Sequence, residues 1–582
     1  MNRNALFASL IAGILLGLGV PTVQAQDAEL PDLAPREVEI TGDLTISFPT
    51  LRRQPIVGFN PPPRVPDIPM SRRPFTEAYA QRSADLPPSP LQAPEPPQVS
   101  AIERRIAMSG LIEARVGAYL DRGLTADVAL LETESTSAQF QFDYFGTDGQ
   151  DLVRSGTNVS TGRDLLRGGL RLEQRAGPIV LDVDGSGHKA SFGLFGAQPA
   201  PGSLAQIDPD RNISGFDGGI GFRNRAGSRT RFGLAVRSGL TRMDSDLYDP
   251  AVRVDPATER EAGHVTVRSH LAIPIRDGEI RFAADGSTMG LDESGFPGST
   301  VRSGVAWSEI SWRYSRNVNI VAGGALLGYD TSSQTGTDRA RYTTWFAPVV
   351  GVEWRLNKST SLEAKVRPVL DNGLLASSMA SSPVIMDEAI LLPSVATVDA
   401  RLGVNVQSEL ATASVAGGWR DQPFRRYTFQ PAVANRGYAS GYPALGYGSA
   451  NVIFASLDLS IVPFRSLEIG LDAVWQQTQL AATDDAIPYV SPLVFGGFAS
   501  LGLLDGDLEA RLEWIHESSR PADLAGDTSI GSLTSVQAMV SWFFHQNYGL
   551  TTGIRDLGGS PEYWQHYAYE SNVFYLGFRY RW

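Results

Sequence analysis

The final segment of the chain, Asn572 to Trp582, constrains the fold more than any other stretch. Large apolar residues occupy every second position, and Arg579 and Arg581 are among the residues between them. Because successive side chains of a strand point to opposite faces, this order produces one apolar face and one face with two cations. The apolar positions are Phe574, Leu576, Phe578, Tyr580 and Trp582. A strand of this kind requires an apolar environment along one side.

An amphipathic strand that ends on a C-terminal aromatic residue is similar to the assembly signal of Gram-negative outer-membrane β-barrels. In those barrels, one face of each strand meets lipid and the other meets an aqueous lumen. A soluble antiparallel domain is the alternative, with the apolar face buried against a second sheet. The rest of the sequence distinguishes the two.

From about residue 106 to residue 582, many segments alternate apolar residues with charged or polar ones. Leu508, Ala510, Leu512 and Trp514, for example, alternate with charged residues. The inner faces of a two-sheet sandwich must be dry, so this much charge favours a barrel with a watery lumen. We expect the charged positions to face that lumen. They are Arg171, Glu173, Arg175, Glu363, Lys365, Arg367, Asp399, Arg401, Asp458, Glu468, Asp472, Glu509, Arg511, Glu513, Arg579 and Arg581.

The spacing of the segments predicts about 22 strands joined alternately by short turns and long loops. Outer-membrane barrels have short turns on the periplasmic side and longer loops outside, with an even number of antiparallel strands. The long connections include Gly290–Ser299 and Asp421–Ser449, whereas Gln546-Asn547 is a short turn. We therefore predict an all-β fold, a transmembrane antiparallel barrel over residues 106–582, with both termini in the periplasm. The alternation fails from Trp307 to Ile310, which indicates a β-bulge or a wrong register.

The N-terminal end reads as an export signal. An apolar run follows Arg3 and ends before Val23-Gln24-Ala25, so we expect a signal peptide over residues 1–25, cleaved between Ala25 and Gln26. The chain contains no cysteine and has a formal net charge of -13. Nucleic-acid binding requires clustered cations, so the acidic balance argues against it and leaves outer-membrane lipid, small solutes and proteins as partners.

Residues 26–105 are rich in proline and have little to bury. This composition favours an extended, semi-rigid periplasmic tail. Residues 38–48 are the exception, because Val38, Ile40, Leu44, Ile46 and Phe48 have the same parity. They predict a short strand or hairpin that can add to the sheet edge of a periplasmic protein. A disordered apolar segment is the alternative.

A barrel of about 22 strands is too wide to be filled by its own side chains. The strand number, the terminal aromatic strand and the long loops together resemble the barrel of TonB-dependent receptors, over roughly Ala107 to Trp582. That resemblance implies an outer-membrane receptor that imports a solute. A folded plug domain, which the family carries, is not recognisable in this sequence. Residues Glu37 to Thr41 are the place where a TonB-box-like segment is expected.

The connection predicted over Asp421–Ser449 is the most distinctive candidate site. It combines aromatic rings with paired arginines, which suit stacking and the capture of an anion. The residues are Phe424, Arg425, Arg426, Tyr427, Phe429, Tyr438, Tyr442 and Tyr447. Packing of these rings onto neighbouring loops is the alternative.

The sequence predicts no catalytic, cofactor or metal site. The six histidines lack the spacing of zinc ligands, and no Gly-x-Ser-x-Gly motif is present. A barrel lipase would need a serine and a histidine aligned on the lipid face, which sequence alone does not pair. We therefore expect a channel or receptor-like barrel for a solute, without enzymatic activity. The alternative is an anchor or assembly platform that recruits a periplasmic or surface partner.

Overall fold

A computed structural model describes most of the chain from residue 110 onward. The described ranges are 110–133, 135–154, 157–199, 209–225, 229–245, 258–293, 296–333, 341–375, 384–385, 391–431, 438–440, 443–559, 562–568 and 571–582. The predicted signal peptide with its cleavage site at Ala25 and Gln26, the proline-rich tail, the strand at 38–48 and the position Tyr442 lie outside them. Those predictions therefore stay predictions.

The described residues form one closed sheet of 22 antiparallel strands, in which each strand pairs with its neighbours in the chain. We number these strands β1 to β22. Their bounds are Gly110–Gly117, Arg122–Glu132, Thr136–Thr147, Arg163–Ala176, Ile179–Gly193, Asp210–Asn224, Arg231–Ser245, Thr258–Ile275, Gly278–Glu293, Phe296–Arg313, Val318–Ser333, Arg341–Arg355, Thr360–Asp371, Ser394–Gln407, Ala411–Phe429, Ala444–Phe464, Leu467–Leu480, Leu493–Leu503, Leu508–Glu517, Leu533–Phe543, Tyr548–Leu557 and Val573–Arg581. The predicted fold class and strand number are confirmed.

The ring closes between β1 and β22. Leu111 pairs with Arg581, and Gly117 pairs with Tyr575, so the first and last strands are antiparallel neighbours. The backbone of Gly110 exchanges two hydrogen bonds with that of Trp582, at 3.3 and 3.2 Å. A Cβ atom on Gly110 would lie 2.4 Å from the Trp582 ring, so only glycine permits this approach.

Four short pairings occur outside the wall of the barrel. Asp151–Arg154 pairs with Thr157–Ser160, Gln198–Pro199 with Tyr438–Ser440, Arg520–Pro521 with Ser529–Ile530, and Glu562–Trp564 with Tyr567–Ala568. Short 3-10 turns occupy Ala118–Leu120 and Leu504–Gly506. None of the helical segments in the described ranges has the length and apolarity needed to cross a membrane.

The connections differ between the two ends of the barrel. We call the end that holds Gly110 and Trp582 the terminal end, and the opposite end the loop end. All connections at the terminal end are short, such as 177–178, 276–277, 356–359 and 544–547, whereas those at the loop end include 372–393, 481–492, 518–532 and 558–572. This is the alternation that the sequence predicted.

Two predicted connections are shorter than expected because strands extend into them. The connection predicted over Gly290–Ser299 is reduced to residues 294–295, and the one over Asp421–Ser449 to residues 430–443. The extra strand residues are at the loop end, where alternation in the sequence is weaker. The predicted bulge from Trp307 to Ile310 is wrong, since these residues pair in unbroken register with both neighbouring strands.

The two faces of the wall differ in chemistry, as β22 illustrates. Phe574, Leu576 and Phe578 are exposed, whereas the intervening Tyr575 and Arg579 are buried. We call these the apolar face and the charged face. Exposed tryptophans occur on the apolar face near the terminal end, at Trp354, Trp542 and Trp582. An exposed apolar band with aromatic residues towards its edges is typical of transmembrane barrels.

Buried apolar residues are concentrated near the loop end. One cluster joins several loops through Phe195, Tyr489, Ala522, Trp564 and Tyr567. A second packs residues around Leu375, Ile385 and Leu391 against Met243 and Met289 of the wall. The described loops thus have their own core, and they pack onto the wall.

Candidate functional site

Strand register places the predicted charged residues on one face of the sheet. Arg579 opposes Glu113, and Glu113 opposes Thr125, which starts a series of opposed positions that continues around the ring. The charged residues predicted on β4, β13, β14, β16, β17 and β19 all lie on the same face as this series of opposed positions. Every charged position predicted from the sequence is therefore on the charged face. That this face lines a watery lumen stays a prediction.

One chain of ion pairs crosses β4, β5 and β6. Arg223 contacts both Glu173, at 2.8 Å, and Asp182, at 3.1 Å. Arg175 contacts Glu173 at 2.9 Å, and Arg171 lies 3.7 Å from Asp182. The three predicted residues of β4 therefore belong to a single network that alternates in sign. The arginines are partly exposed, so each pair is worth about 1 kcal/mol or less.

A second chain extends from β7 to β13. Glu279 contacts Arg231 at 2.5 Å and also pairs with Arg281. Arg281 continues to Glu309 at 3.2 Å, and Arg367 reaches the same carboxylate at 2.9 Å. The side chain of Glu309 is only 2% exposed, so two guanidiniums compensate one buried charge.

The other predicted positions make smaller contacts. Lys365 pairs with Glu363 at 3.0 Å, Arg511 pairs with Glu513 at 2.5 Å, and Glu468 accepts a hydrogen bond from Ser460 at 3.1 Å. Asp458 and Asp472 oppose each other directly on β16 and β17. Glu509 is buried and opposes Ser541.

The seam between the first and last strands carries the two terminal arginines. Arg579 contacts Glu113 of β1 at 2.8 Å. Arg581 contacts Asp507 at 2.8 Å and lies 3.9 Å from the centre of the Phe543 ring. Both arginines are buried, and the pair between Arg579 and Glu113 joins the last strand to the first.

A cluster of arginines lies on β14 and β15, next to Phe454 of β16. Arg420 donates a hydrogen bond to Asp399 at 2.6 Å, and both side chains are buried. The guanidiniums of Arg401 and Arg420 lie 5.3 and 6.0 Å from the centre of the Phe454 ring. Arg425 follows a break in register after Gln422 and donates a hydrogen bond to that glutamine at 2.8 Å. We call these residues the β15 arginine cluster.

The residues predicted to form a ligand loop are mostly on strands. Phe424, Arg425, Arg426, Tyr427 and Phe429 belong to β15, and Tyr447 belongs to β16. Tyr438 lies in the short pairing with Gln198–Pro199. The prediction of a loop at these positions is therefore wrong, because the break in register after Gln422 and Pro423 disguises a continuing strand.

The aromatic rings of this region pack against one another and against the wall. Phe424 stacks on Tyr447 with ring centres 5.3 Å apart, and it also contacts Tyr329 at 5.1 Å. Arg426 pairs with Asp371 at 3.1 Å. The Tyr447 hydroxyl accepts a hydrogen bond from the backbone of Leu392 at 2.9 Å. These contacts agree with the packing alternative for Phe424, Arg426 and Tyr447, whereas Arg425 has a different environment.

A second cationic group surrounds Phe145 on β3. The guanidiniums of Arg115, Arg163 and Arg555 lie 5.8, 5.3 and 4.9 Å from the centre of this ring. Asp121, whose side chain is 1% exposed, pairs with Arg555 and lies 3.8 Å from Arg115. These residues are near the loop end.

Arg520 joins three loops at the loop end. Its side chain is fully buried and contacts Glu517 at 2.9 Å. It donates a hydrogen bond to Ser491 at 3.3 Å and another to the carbonyl of Tyr563 at 3.1 Å. Burial lowers the pKa of Arg520, and the adjacent Glu517 opposes that shift. Burial likewise raises the pKa values of the phenols of Tyr489 and Tyr563.

Several members of these networks were not predicted from the sequence. Glu113, Asp182, Arg223, Glu309 and Arg420 each contact a predicted charged residue. Alternation within each strand could have identified them, because each lies an even number of positions from other polar residues of the same strand. The contact between Glu309 and Arg367, across two intervening strands, had no signal in the sequence.

Comparison with known proteins gives structural but not sequence relatives. No protein-family model matches the chain, and no curated protein matches its sequence. The FrpB iron transporter from Neisseria meningitidis (F3-3 variant) is similar in structure, with a TM-score of 0.65 and 9% identity, over 83% of this chain and 82% of that one. The copper transporter OprC gives a TM-score of 0.62 and 12% identity, over 81% and 80%.

The ferric-catecholate import receptor Fiu from E. coli K12 is also similar, with a TM-score of 0.59 and 12% identity over 82% of each chain. At these identities the likeness concerns the fold. It agrees with the closed ring of 22 strands, the short turns at the terminal end and the longer connections at the loop end. The described part of the chain therefore forms a closed β-barrel of 22 strands that resembles the barrel of TonB-dependent receptors.

Proposed function

We propose that this protein is an outer-membrane transport barrel, a channel or receptor-like component that passes or binds a solute. The proposal rests on one observation: one face of the closed wall is apolar and the other is charged. The apolar face exposes large side chains such as Phe346, Phe574 and Leu402, whereas the charged face holds the networks around Glu173 and Glu309. Lipid outside and water inside account for that separation.

In this proposal the terminal end faces the periplasm and the loop end faces the outside. Short turns on the periplasmic side and longer loops outside are the rule for such barrels. The proteins with similar structures are named as copper, iron and ferric-catecholate transporters or receptors, which supports transport as the class of function. Their cargo does not identify the solute of this chain. We assign no catalytic step to the protein.

Conductance across a planar lipid bilayer tests the open-channel form of the proposal. The mature chain and a variant lacking residues 26–105 should be refolded and compared under the same salt gradient. Conductance by either protein supports a water-filled lumen. Absence of conductance from both would exclude an open channel and leave a plugged receptor, for which loss of solute uptake on deletion of the gene is the deciding result.

A Glu309→Gln variant tests, in the same conductance measurement, whether the charged face lines the lumen. If the charged face lines the lumen, removing this carboxylate makes the wall more cationic and shifts the reversal potential towards anion selectivity. Asp330→Asn is the matched control, because it also removes one negative charge but Asp330 is on the other face, where it lies 3.9 Å from Arg302. An equal shift in both variants would contradict the assignment of faces.

A further inference from the structure

The β15 arginine cluster contains more buried positive charge than buried negative charge. Arg420 and Arg425 are only 3% and 8% exposed, and Arg401 lies beside Arg420 over the Phe454 ring. Asp399 is the acid that pairs with Arg420 within the described residues. Arg425 is near enough to Arg420 for their like charges to interact. Placing like charges together in a buried site is unfavourable unless an anion compensates them.

Arg425 differs from other buried arginines of the barrel. Arg579, Arg581 and Arg520 each contact a carboxylate, at 2.8, 2.8 and 2.9 Å. Arg425 contacts the neutral amide of Gln422, and no described carboxylate lies within ion-pair distance of it. A neutral partner compensates only a small part of the free-energy cost of removing a guanidinium from water.

The cluster also contains buried hydrogen-bonding atoms without a partner in the described chain. The Nε atom of Arg420 and the Nη1 atom of Arg401 donate to no described atom, and Oδ1 of Asp399 accepts from none. Guanidinium N–H groups are fixed donors that match the oxygen atoms of phosphate and carboxylate groups. The Phe454 ring restricts the planes of Arg401 and Arg420, so these donors are already oriented.

We propose that Arg420 and Arg425 bind the oxyanion group, phosphate or carboxylate, of a solute on the charged face of the barrel, with Arg401 beside Arg420 as a further cation. Asp399 positions Arg420 through the hydrogen bond of 2.6 Å, and Gln422 positions Arg425. The inference rests on the proposed function, because a solute reaches this site only if the charged face borders the lumen. It identifies the chemistry of the group that the protein recognises.

Calorimetric titration of the refolded full chain in detergent tests the site. Inorganic phosphate and acetate serve as separate probes at low ionic strength, so that the two oxyanion classes are distinguished. Gln422→Glu is the main variant, since it supplies Arg425 with an internal carboxylate and removes no arginine. We expect it to weaken oxyanion binding by about tenfold or more. Arg425→Gln should weaken binding similarly.

Arg511→Gln is the matched control, because Arg511 also packs over a ring, that of Phe498 at 4.4 Å, but contacts Glu513. Its binding should stay within about twofold of the unmodified protein. If Arg425→Gln fails to fold, the Gln422→Glu result decides. The proposal is overturned if neither probe binds, or if Gln422→Glu binds as tightly as the unmodified protein. Binding in detergent does not depend on conductance. The proposal of an oxyanion site and the proposal of an open channel are therefore tested independently.

Discussion

Arg367 of β13 donates a hydrogen bond to Glu309 of β10 at 2.9 Å, although two strands of the wall separate them. The register runs from Glu309 to Gly323 and from Gly323 to Val349, which are both uncharged. Because Arg281 of β9 contacts the same carboxylate, one buried acid joins three strands. The charged face is therefore a connected network as well as a polar surface.

Glu309→Gln should destabilise the barrel, because it leaves Arg281 and Arg367 without their shared carboxylate. We expect the free energy of unfolding, measured by urea titration in liposomes, to fall by about 3 kcal/mol. Glu353→Gln is the control, since Glu353 is 40% exposed and contacts Arg355 at 3.2 Å. Its effect should be about 1 kcal/mol or less. Equal effects of the two variants would show that Glu309 has no special role.

Phe578→Lys should impair insertion of the last strand. Phe578 is on the apolar face, 45% exposed, and its neighbours on that face are Leu576 and Tyr580. A lysine on the lipid face of a barrel costs about 2 kcal/mol or more near the middle of the bilayer. Folding into liposomes, followed by the heat-modifiable shift in gel mobility, should decrease. Phe578→Leu should fold normally, and failure of both variants alike would contradict contact with lipid.

Arg520→Gln should loosen the loops at the loop end without opening the wall. Loss of the guanidinium removes the contacts to Glu517, Ser491 and the carbonyl of Tyr563. Thermolysin should then cleave within 481–492, 518–532 or 558–572 about tenfold faster, because local opening becomes more frequent. Arg316→Gln, on a short turn at the terminal end, is the control. Cleavage at an unchanged rate in Arg520→Gln would show that the loops hold together without it.

The loop cluster should also be sensitive to alkaline pH. Burial raises the pKa values of Tyr489 and Tyr563 above the ordinary 10.0. A raised pKa in the folded state contributes stability that is complete below the unfolded value and is lost as the pH rises through the folded value. Thermal unfolding midpoints should therefore fall from about pH 10 upward. The double variant Tyr489→Phe and Tyr563→Phe should show a smaller fall, and an identical fall would contradict the prediction.

Sequence alone predicted the barrel because the alternation of side chains has a fixed period of two. The same period places Arg401, Glu509 and Arg579 on the charged face of their strands. It could not pair Arg367 with Glu309, because that contact crosses two strands whose residues in between, Gly323 and Val349, are uncharged.

The sequence interpretation was least accurate near the loop end. Strands there continue past the apolar band, and positions on their charged face become apolar where loops pack on them, as at Val301, which clusters with Leu375 and Leu391. The period of polarity is then lost although the strand continues. Arg425 was predicted to lie in a loop, because the break in register at Gln422 hides the strand.

Neighbouring positions on one strand test the central claim most directly. The chain contains no cysteine, so a single cysteine carrying a fluorescent label can be placed at Leu457, Asp458 or Leu459 of β16 in turn. Quenching by nitroxide lipids in proteoliposomes then reports contact with the bilayer. We predict strong quenching at 457 and 459 and weak quenching at 458, since only the apolar face meets lipid. Equal quenching at all three positions would contradict a barrel with lipid outside and a charged face inside.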